Sequence, residues 1–299
     1  MTQENAPLPP RDPPGPTRDP IITRFAPSPT GFLHLGHAYS ALYAESAARR
    51  AGGRFLLRIE DIDAGRSRPE FEAAIYRDLE WLGLEWETPV RRQSEHLDDH
   101  AAALTSLQDA GLLYPCFCTR KELAHEAAAS ISAPHSPDGP LYPGTCRALS
   151  AAARRERLSN GAPHALRLDM GQAMQTIGAD LAFHDRGAGR IVVQPGQCGD
   201  VVLARKDIHT SYHLAVTVDD ALQGVTLVTR GEDLLHATHI HRILQSLLGY
   251  PTPEYHHHPL LRGPDGQRLA KRDASLSLSA LRENGALAAD IRRRVESQT

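Results

Sequence analysis

The chain has no apolar run near the ~18 residues that a membrane-spanning helix needs. Prolines and acidic groups occupy its first twenty residues, where a secretory leader would carry an apolar stretch. We therefore expect a cytoplasmic protein. Cysteine is scarce: four in 299 residues cannot make the disulfide framework that holds small secreted domains together. Two of the four stand as Cys116-x-Cys118, a spacing that in a reducing compartment favours a metal over a disulfide. An excess of one charge is lacking too. A formal net charge of −3 excludes an indiscriminate nucleic-acid coat but leaves room for a local basic face. What is present, 41% hydrophobic and 23% charged residues, has the texture of a globular protein, and the length suits roughly two domains.

Residues 1–20 are rich in proline and poor in bulky apolar groups, so burial cannot offset their ordering entropy and they read as a disordered tail. The pattern then tightens. Ile21 and Ile22 lead into residues 24–37, R-F-A-P-S-P-T-G-F-L-H-L-G-H, followed by an alanine-rich helical run over 38–51. Pro27 and Pro29 continue neither a strand nor a helix interior, so the stretch reads as strand, ordered loop and helix. Gly31 and Gly36 let backbone approach a bound group closely. His34 and His37, three apart at the helix opening, share one side of its first turn. Two imidazole donors beside a helix N-terminus suit a phosphate.

Gly52-Gly53 stops that helix, and residues 54–60 (R-F-L-L-R-I-E) read as a second strand. Ser67-Arg68-Pro69-Glu70 has the capping-box pattern with proline in the first turn, which predicts a helix to about Leu82, ended by Gly83. A further helix is expected from Ser94 to near Gly111. This order predicts an α/β fold: a Rossmann-type parallel-sheet catalytic domain with ligands at the carboxyl ends of its strands, its first half over residues 21–113. Residues 114–200 differ in texture, with cysteines, an Ala/Ser/Pro-rich loop and short strand candidates at 164–168 and 190–193. They read as an inserted α/β subdomain. The Rossmann pattern is expected to resume over 201–299, first at 201–205 and 212–218.

Cys116, Cys118 and the distant Cys146 suit tetrahedral zinc but leave one ligand short, and His125 and His135 lie between them. Cys198 falls outside this pattern and reads as a packed free thiol. His256, His257 and His258 look like a metal tract. Alternate strand residues face opposite ways, so the three cannot share one ion and are read as structural.

Residues 24–37 resemble the signature of class I aminoacyl-tRNA synthetases, whose HIGH motif reads H-L-G-H here, and the R-F-A-P-S-P-T-G prefix is similar to that of the glutamyl branch. Behind a Pro264-Asp265-Gly266 turn, residues 266–272 resemble the KMSKS loop, with Arg268 for the first lysine, Ala270 for the serine and Arg272 last. Lys271 is there the compact cation for the β- and γ-phosphates. The resemblance implies that a glutamate carboxylate attacks the α-phosphorus of ATP. His34, His37 and Lys271 would be the catalytic groups, and the same three with Gly36 would bind ATP; Mg2+ follows from the ATP chemistry. For L-glutamate it implies Arg24, Phe25, Ala26, Pro27, Ser28, Tyr212 and Arg230, with Glu60 taking the ammonium.

The short glutamyl-queuosine subgroup places a tyrosine four residues before the last cysteine as a zinc ligand, and Tyr142 stands there. The resemblance thus implies a structural zinc on Cys116, Cys118, Tyr142 and Cys146. Fewer than thirty residues follow Lys271, where the ordinary enzyme carries a large anticodon-reading part. Val216, in Y-H-L-A-V, replaces a polar residue near the substrate, which predicts a high KM for glutamate. The implied function is tRNA-independent activation of glutamate and its transfer to queuosine in the anticodon loop of tRNA(Asp), by a monomer. Unstacked loop bases are open to being read. Arg147, Arg154, Arg155 and Arg157 either line that path or form a solvated helix face. The alternatives are a truncated glutamyl-tRNA synthetase charging a tRNA 3′ end and a catalytically silent RNA-binding paralogue.

Overall fold

The computed structural model describes residues 20–119, 121–122, 135–136, 139–261 and 277–296. Lys271 with its KMSKS-like loop, the tail before residue 20, His125 and the side chain of His135 lie outside the described residues.

β1 (Ile22–Phe25) leads through the signature loop into α1 (Leu35–Arg50), then β2 (Arg54–Ile59), α2 (Pro69–Trp81), β3 (Glu87–Arg92) and α3 (Leu97–Asp109). The three strands are parallel in the order β1-β2-β3. Strand alternation sorts their side chains. Phe55, Leu57 and Ile59 join one apolar core with α1 and α2, whereas Leu56 faces a second core with α3. Arg58 shares the Leu56 face and is therefore driven inward. At the α1–β2 turn a Cβ on Gly53 would lie 1.9 Å from the Ile21 carbonyl oxygen, so only glycine fits there.

The capping box expected at Ser67 is not formed. Arg68 is the N-cap of α2, with φ −135° and ψ 136°, and makes no side-chain cap bond. The residue before a proline is pushed into extended backbone, so the helix begins at Pro69 rather than a residue earlier.

The next stretch comprises β4 (Leu113–Cys116), β5 (His135–Ser136), β6 (Gly139–Pro140), α4 (Ala151–Ser159), β7 (Ala165–Leu168), α5 (Met170–Ile177), β8 (Ala182–Asp185), β9 (Gly189–Val192) and β10 (Val202–Ala204). β4, β7 and β10 form an antiparallel sheet in the order β10-β7-β4. The strand at 201–205, expected to resume the parallel pattern, thus pairs antiparallel with β7 instead.

The chain continues through α6 (Tyr212–Leu222), β11 (Leu227–Gly231), α7 (Leu235–Leu248), β12 (Glu254–His258), α8 (Leu278–Glu283) and α9 (Ala288–Glu296). β11, β12 and β8 are parallel, with β9 antiparallel at the edge, so the β8–β9 hairpin belongs to this sheet. Thr226 donates its backbone N–H to the Ile22 carbonyl at 3.0 Å, and Ile22 N–H returns a bond to the Thr226 hydroxyl at 2.8 Å. These bonds set β1 beside β11, so strand order runs outward in both directions from that pair. Such a switch point is where open α/β sheets take their ligands. Among the described residues no helix is long and apolar enough to cross a membrane.

Candidate active site

The signature loop is pinned from three sides at the carboxyl end of β1. Glu60 donates its N–H to the Pro27 carbonyl at 3.0 Å, Arg68 to Pro29 at 3.0 Å, and Leu278 to Leu33 at 2.8 Å. His34 is the N-cap of α1. Its Nδ1 accepts the Gly36 N–H at 3.1 Å, and His37 Nδ1 accepts the His34 N–H at 3.1 Å. This is a reciprocal capping box built from two histidines. A ring whose Nδ1 accepts carries its proton on Nε2 when neutral, so both rings are fixed as Nε2–H donors. The rings lie 3.8 Å apart between centroids at the positive end of the helix dipole. A Cβ on Gly36 would stand 3.0 Å from the His34 ring, which explains the glycine between them. The two histidines are brought together as their spacing predicted.

Below this loop lies a buried charge cluster. Arg24 donates to Asp220 through Nε (2.9 Å) and Nη2 (3.2 Å), and through Nη1 to the Thr229 carbonyl at 3.2 Å. Arg58, wholly buried, donates to Asp220 at 2.7 Å and to Glu60 at 3.1 Å. Burial works against the Asp220 charge, but Arg24 and Arg58 outweigh it and hold the carboxyl below its ordinary range. Burial wins at Glu60, whose carboxyl is pushed up despite Arg58. Asp219, the neighbour of Asp220, accepts from Arg91 (2.8 Å) and Gln93 (2.7 Å) and lies 3.2 Å from His100 Nε2. Burial opposes its charge, yet His100, the Arg58 charge and Gln93 bring it down to about 2.

Arg230, on β11 beside Arg24, is held differently. Its Nε donates to His257 Nε2 at 3.2 Å, its Nη1 to His241 Nδ1 at 3.2 Å, and its Nη2 to the Thr238 hydroxyl. Among the described residues no carboxylate lies within ion-pair distance of it. Burial and then the Arg230 charge push His257 down to about 4, and the same two causes push His241 well below its ordinary range. Both rings are therefore neutral at pH 7. Tyr212, first residue of α6, stays 37% exposed with its ring 5.7 Å from that of His241. Ser28 is exposed, Ala26 half-buried and Pro27 buried; the Phe25 side chain packs in the core under α1. Val216 is buried within α6.

A separate cluster joins β4 to the stretch before α4. The sulfurs of Cys116, Cys118 and Cys146 all lie within 4.8 Å of one another, so the three can hold a metal ion. The Tyr142 hydroxyl stands 3.5 Å from Cys116 Sγ and 3.7 Å from Cys118 Sγ. Phe117 N–H points at Cys146 Sγ at 3.3 Å and, against burial, helps to lower that thiol. Burial pushes Cys118 up to about 12. Cys198 is free and packs against the second core, apart from this group. Arg157 stacks over Phe117 at 5.3 Å, Arg147 pairs with Asp200 at 2.8 Å, and α4 has no buried residue.

The family model described as "tRNA synthetases class I (E and Q), catalytic domain" matches residues 20–296. The chain is 51% identical to the glutamyl-Q tRNA(Asp) synthetase of Rhodobacter capsulatus over 91% of its length and 99% of that protein. It belongs to the glutamyl-Q tRNA(Asp) synthetase group of class I tRNA synthetases. The same name is carried by a Symbiobacterium thermophilum protein 47% identical over 89% of this synthetase and 82% of that chain. A crystal structure of a glutamate tRNA ligase from Elizabethkingia meningosepticum, in complex with its amino acid, superposes with a TM-score of 0.76 at 28% identity. It covers 93% of this synthetase and 60% of that chain.

Sequence reasoning missed Arg58, Asp219, Asp220, Thr238, His241 and the use of His257 in this synthetase. Two signals were available. Arg58 interrupts an otherwise apolar strand at an inward position, and Asp219-Asp220 interrupts an apolar helix. Charges in such places need partners. His256 and His258 face Tyr43 and Ser40, whereas His257 faces Asp185, so the three histidines divide between the two faces as alternation requires.

Proposed function

We propose that this synthetase activates L-glutamate with ATP in the absence of tRNA and transfers it to queuosine in the anticodon loop of tRNA(Asp). The observation that carries the reading is Arg230: a buried guanidinium at the switch point whose partners among the described residues are all neutral. An unpaired buried cation is costly, so such a site favours a ligand that brings an anion. Arg230 takes one glutamate carboxylate as a fork with two parallel bonds. Arg24, held by Asp220, serves the other end of the substrate with Ser28, Tyr212 and the backbone of residues 25–27, and Glu60 takes the ammonium.

A glutamate carboxylate oxygen then bonds to the α-phosphorus of ATP as the Pα–O–Pβ bond breaks, and pyrophosphate leaves with the electron pair. The Nε2–H groups of His34 and His37 donate to phosphate oxygens as charge grows, each worth on the order of 10²–10³ in rate. Lys271 completes the phosphate contacts, and Mg2+ enters with ATP. In the second step an acceptor on queuosine attacks the mixed anhydride and AMP departs.

Zinc on Cys116, Cys118, Tyr142 and Cys146 would tie the end of β4 to the stretch before α4 in the inserted segment, whose β8–β9 hairpin belongs instead to the sheet of β11 and β12. Three crowded thiols and a phenol suit its tetrahedral preference, and four protein ligands leave no open position for chemistry. The enzyme works as a cytoplasmic monomer on this reading. Labelled glutamate offered with tRNA(Asp), with and without queuosine, is the test. Label retained only on queuosine-containing tRNA supports the proposal; label on a 3′ end of tRNA(Glu) overturns it in favour of an ordinary glutamate–tRNA ligase.

A further inference from the structure

Arginine has five N–H groups, and three of those on Arg230 are taken by neutral acceptors: His257 Nε2, His241 Nδ1 and the Thr238 hydroxyl. Among the described residues this leaves one N–H on each terminal nitrogen, the number that a bidentate carboxylate needs. Each acceptor is itself oriented. Asp185 Oδ2 accepts from His257 Nδ1 at 2.7 Å and from the His257 backbone N–H at 3.0 Å, and its Oδ1 is fixed by the N–H groups of Gly187 and Ala188, both at 2.9 Å. A carboxylate at Nδ1 places the ring proton there and leaves Nε2 as a lone pair facing Arg230. Thr238 stands 2.9 Å from the same Nε2, and His241 Nε2 lies 3.2 Å from His213 Nδ1.

We propose that His257 and His241 are positioning residues for glutamate recognition. As neutral acceptors they hold the Arg230 guanidinium in one orientation and leave its charge for the substrate, while Asp185 sets the tautomer that makes His257 an acceptor. The contrast with Arg24, whose charge is met by Asp220, marks Arg230 as the cation reserved for a ligand. This inference rests on the reading that Arg230 binds glutamate.

The two histidines face Arg230 through different nitrogens, and that separates positioning from packing. An Asn amide reaches as far as Nδ1 of a histidine, and a Gln amide as far as Nε2. His257→Gln should therefore keep the contact to Arg230 and His257→Asn should lose it, whereas at His241 the order reverses. KM for glutamate and for ATP is measured for all four variants by pyrophosphate exchange, with melting curves to establish folding. The expected result is a glutamate KM raised roughly 10- to 100-fold in His257→Asn and His241→Gln, as loss of a bond to a charged group implies, with the ATP KM unmoved. His257→Gln and His241→Asn should stay within about threefold of wild type on the same reasoning. Equal effects of Asn and Gln at both positions overturn the inference, as do four folded variants with wild-type KM. If one position yields a variant that does not fold, the pair at the other position decides. Arg230→Gln runs alongside: a wild-type glutamate KM in that variant sinks the underlying reading, whereas a raised one with no pattern at His257 and His241 sinks this inference alone.

Discussion

Asp220→Asn isolates what the buried cluster contributes. The carboxylate accepts three charge-assisted bonds, at 2.9 and 3.2 Å from Arg24 and 2.7 Å from Arg58. Its replacement by an amide leaves two buried guanidinium groups with Glu60, 3.1 Å from Arg58, and Asp219, 4.0 Å from Arg58, as the remaining carboxylates among the described residues. Removing one partner from a buried ion pair costs about 3–5 kcal/mol. For a domain near this size, each kcal/mol moves Tm by about 2–4 °C, so a fall of roughly 6–20 °C is expected at pH 7. The pH dependence has a definite sign. The folded-state carboxyl is depressed, so its stabilisation is complete above the ordinary carboxyl pKa near ~3.9 and disappears as pH falls through the lower folded value. The Tm gap between wild type and variant should therefore be constant from pH 7 to 5 and close in more acid solution. Adding Arg58→Met restores charge balance and should recover part of the loss, giving a coupling above about 1 kcal/mol in the double-mutant cycle. Thermal melts followed by circular dichroism suffice. A fall under 2 °C, or a gap that widens in acid, refutes the reasoning.

Other consequences are as direct. Gly53→Ala places a methyl against the Ile21 carbonyl and should cost about 1–3 kcal/mol or more by overpacking, read as a lower denaturation midpoint; an unchanged midpoint would show that the turn yields. Metal analysis should find about one zinc per chain, most of it lost in Cys118→Ser together with several degrees of Tm, and a wild-type zinc content in that variant argues against the site. Val216→Asn should lower the glutamate KM, measured by exchange, if the buried valine stands where a polar contact is missing. A folded variant with a higher KM returns Val216 to a packing role.

The parts of this synthetase legible in the sequence are those set by local geometry. The spacing of His34 and His37 already contains their shared helical turn, and proline and glycine placement brackets the loop that carries them. Arg24 and Arg230 were legible as charges but not as partners: Asp220 is 196 residues from Arg24, and no local pattern encodes a contact of that separation. The same limit explains β10. Its residues read equally well as a parallel or an antiparallel strand, and pairing with β7 decided the matter. At Ser67 two local rules competed, and the constraint of Pro69 on the preceding residue prevailed over the capping-box pattern. The triple histidine shows alternation working as expected, while the role of His257 depended on a carboxylate 72 residues away.

Glutamate-dependent ATP–pyrophosphate exchange without RNA tests the central claim most directly, with His37→Ala and Lys271→Ala measured beside the wild type. Our account predicts exchange that needs no tRNA and falls by on the order of 10²–10³ when the His37 donor is removed, with a loss in Lys271→Ala as well. Exchange that appears only after tRNA(Glu) is added would contradict it.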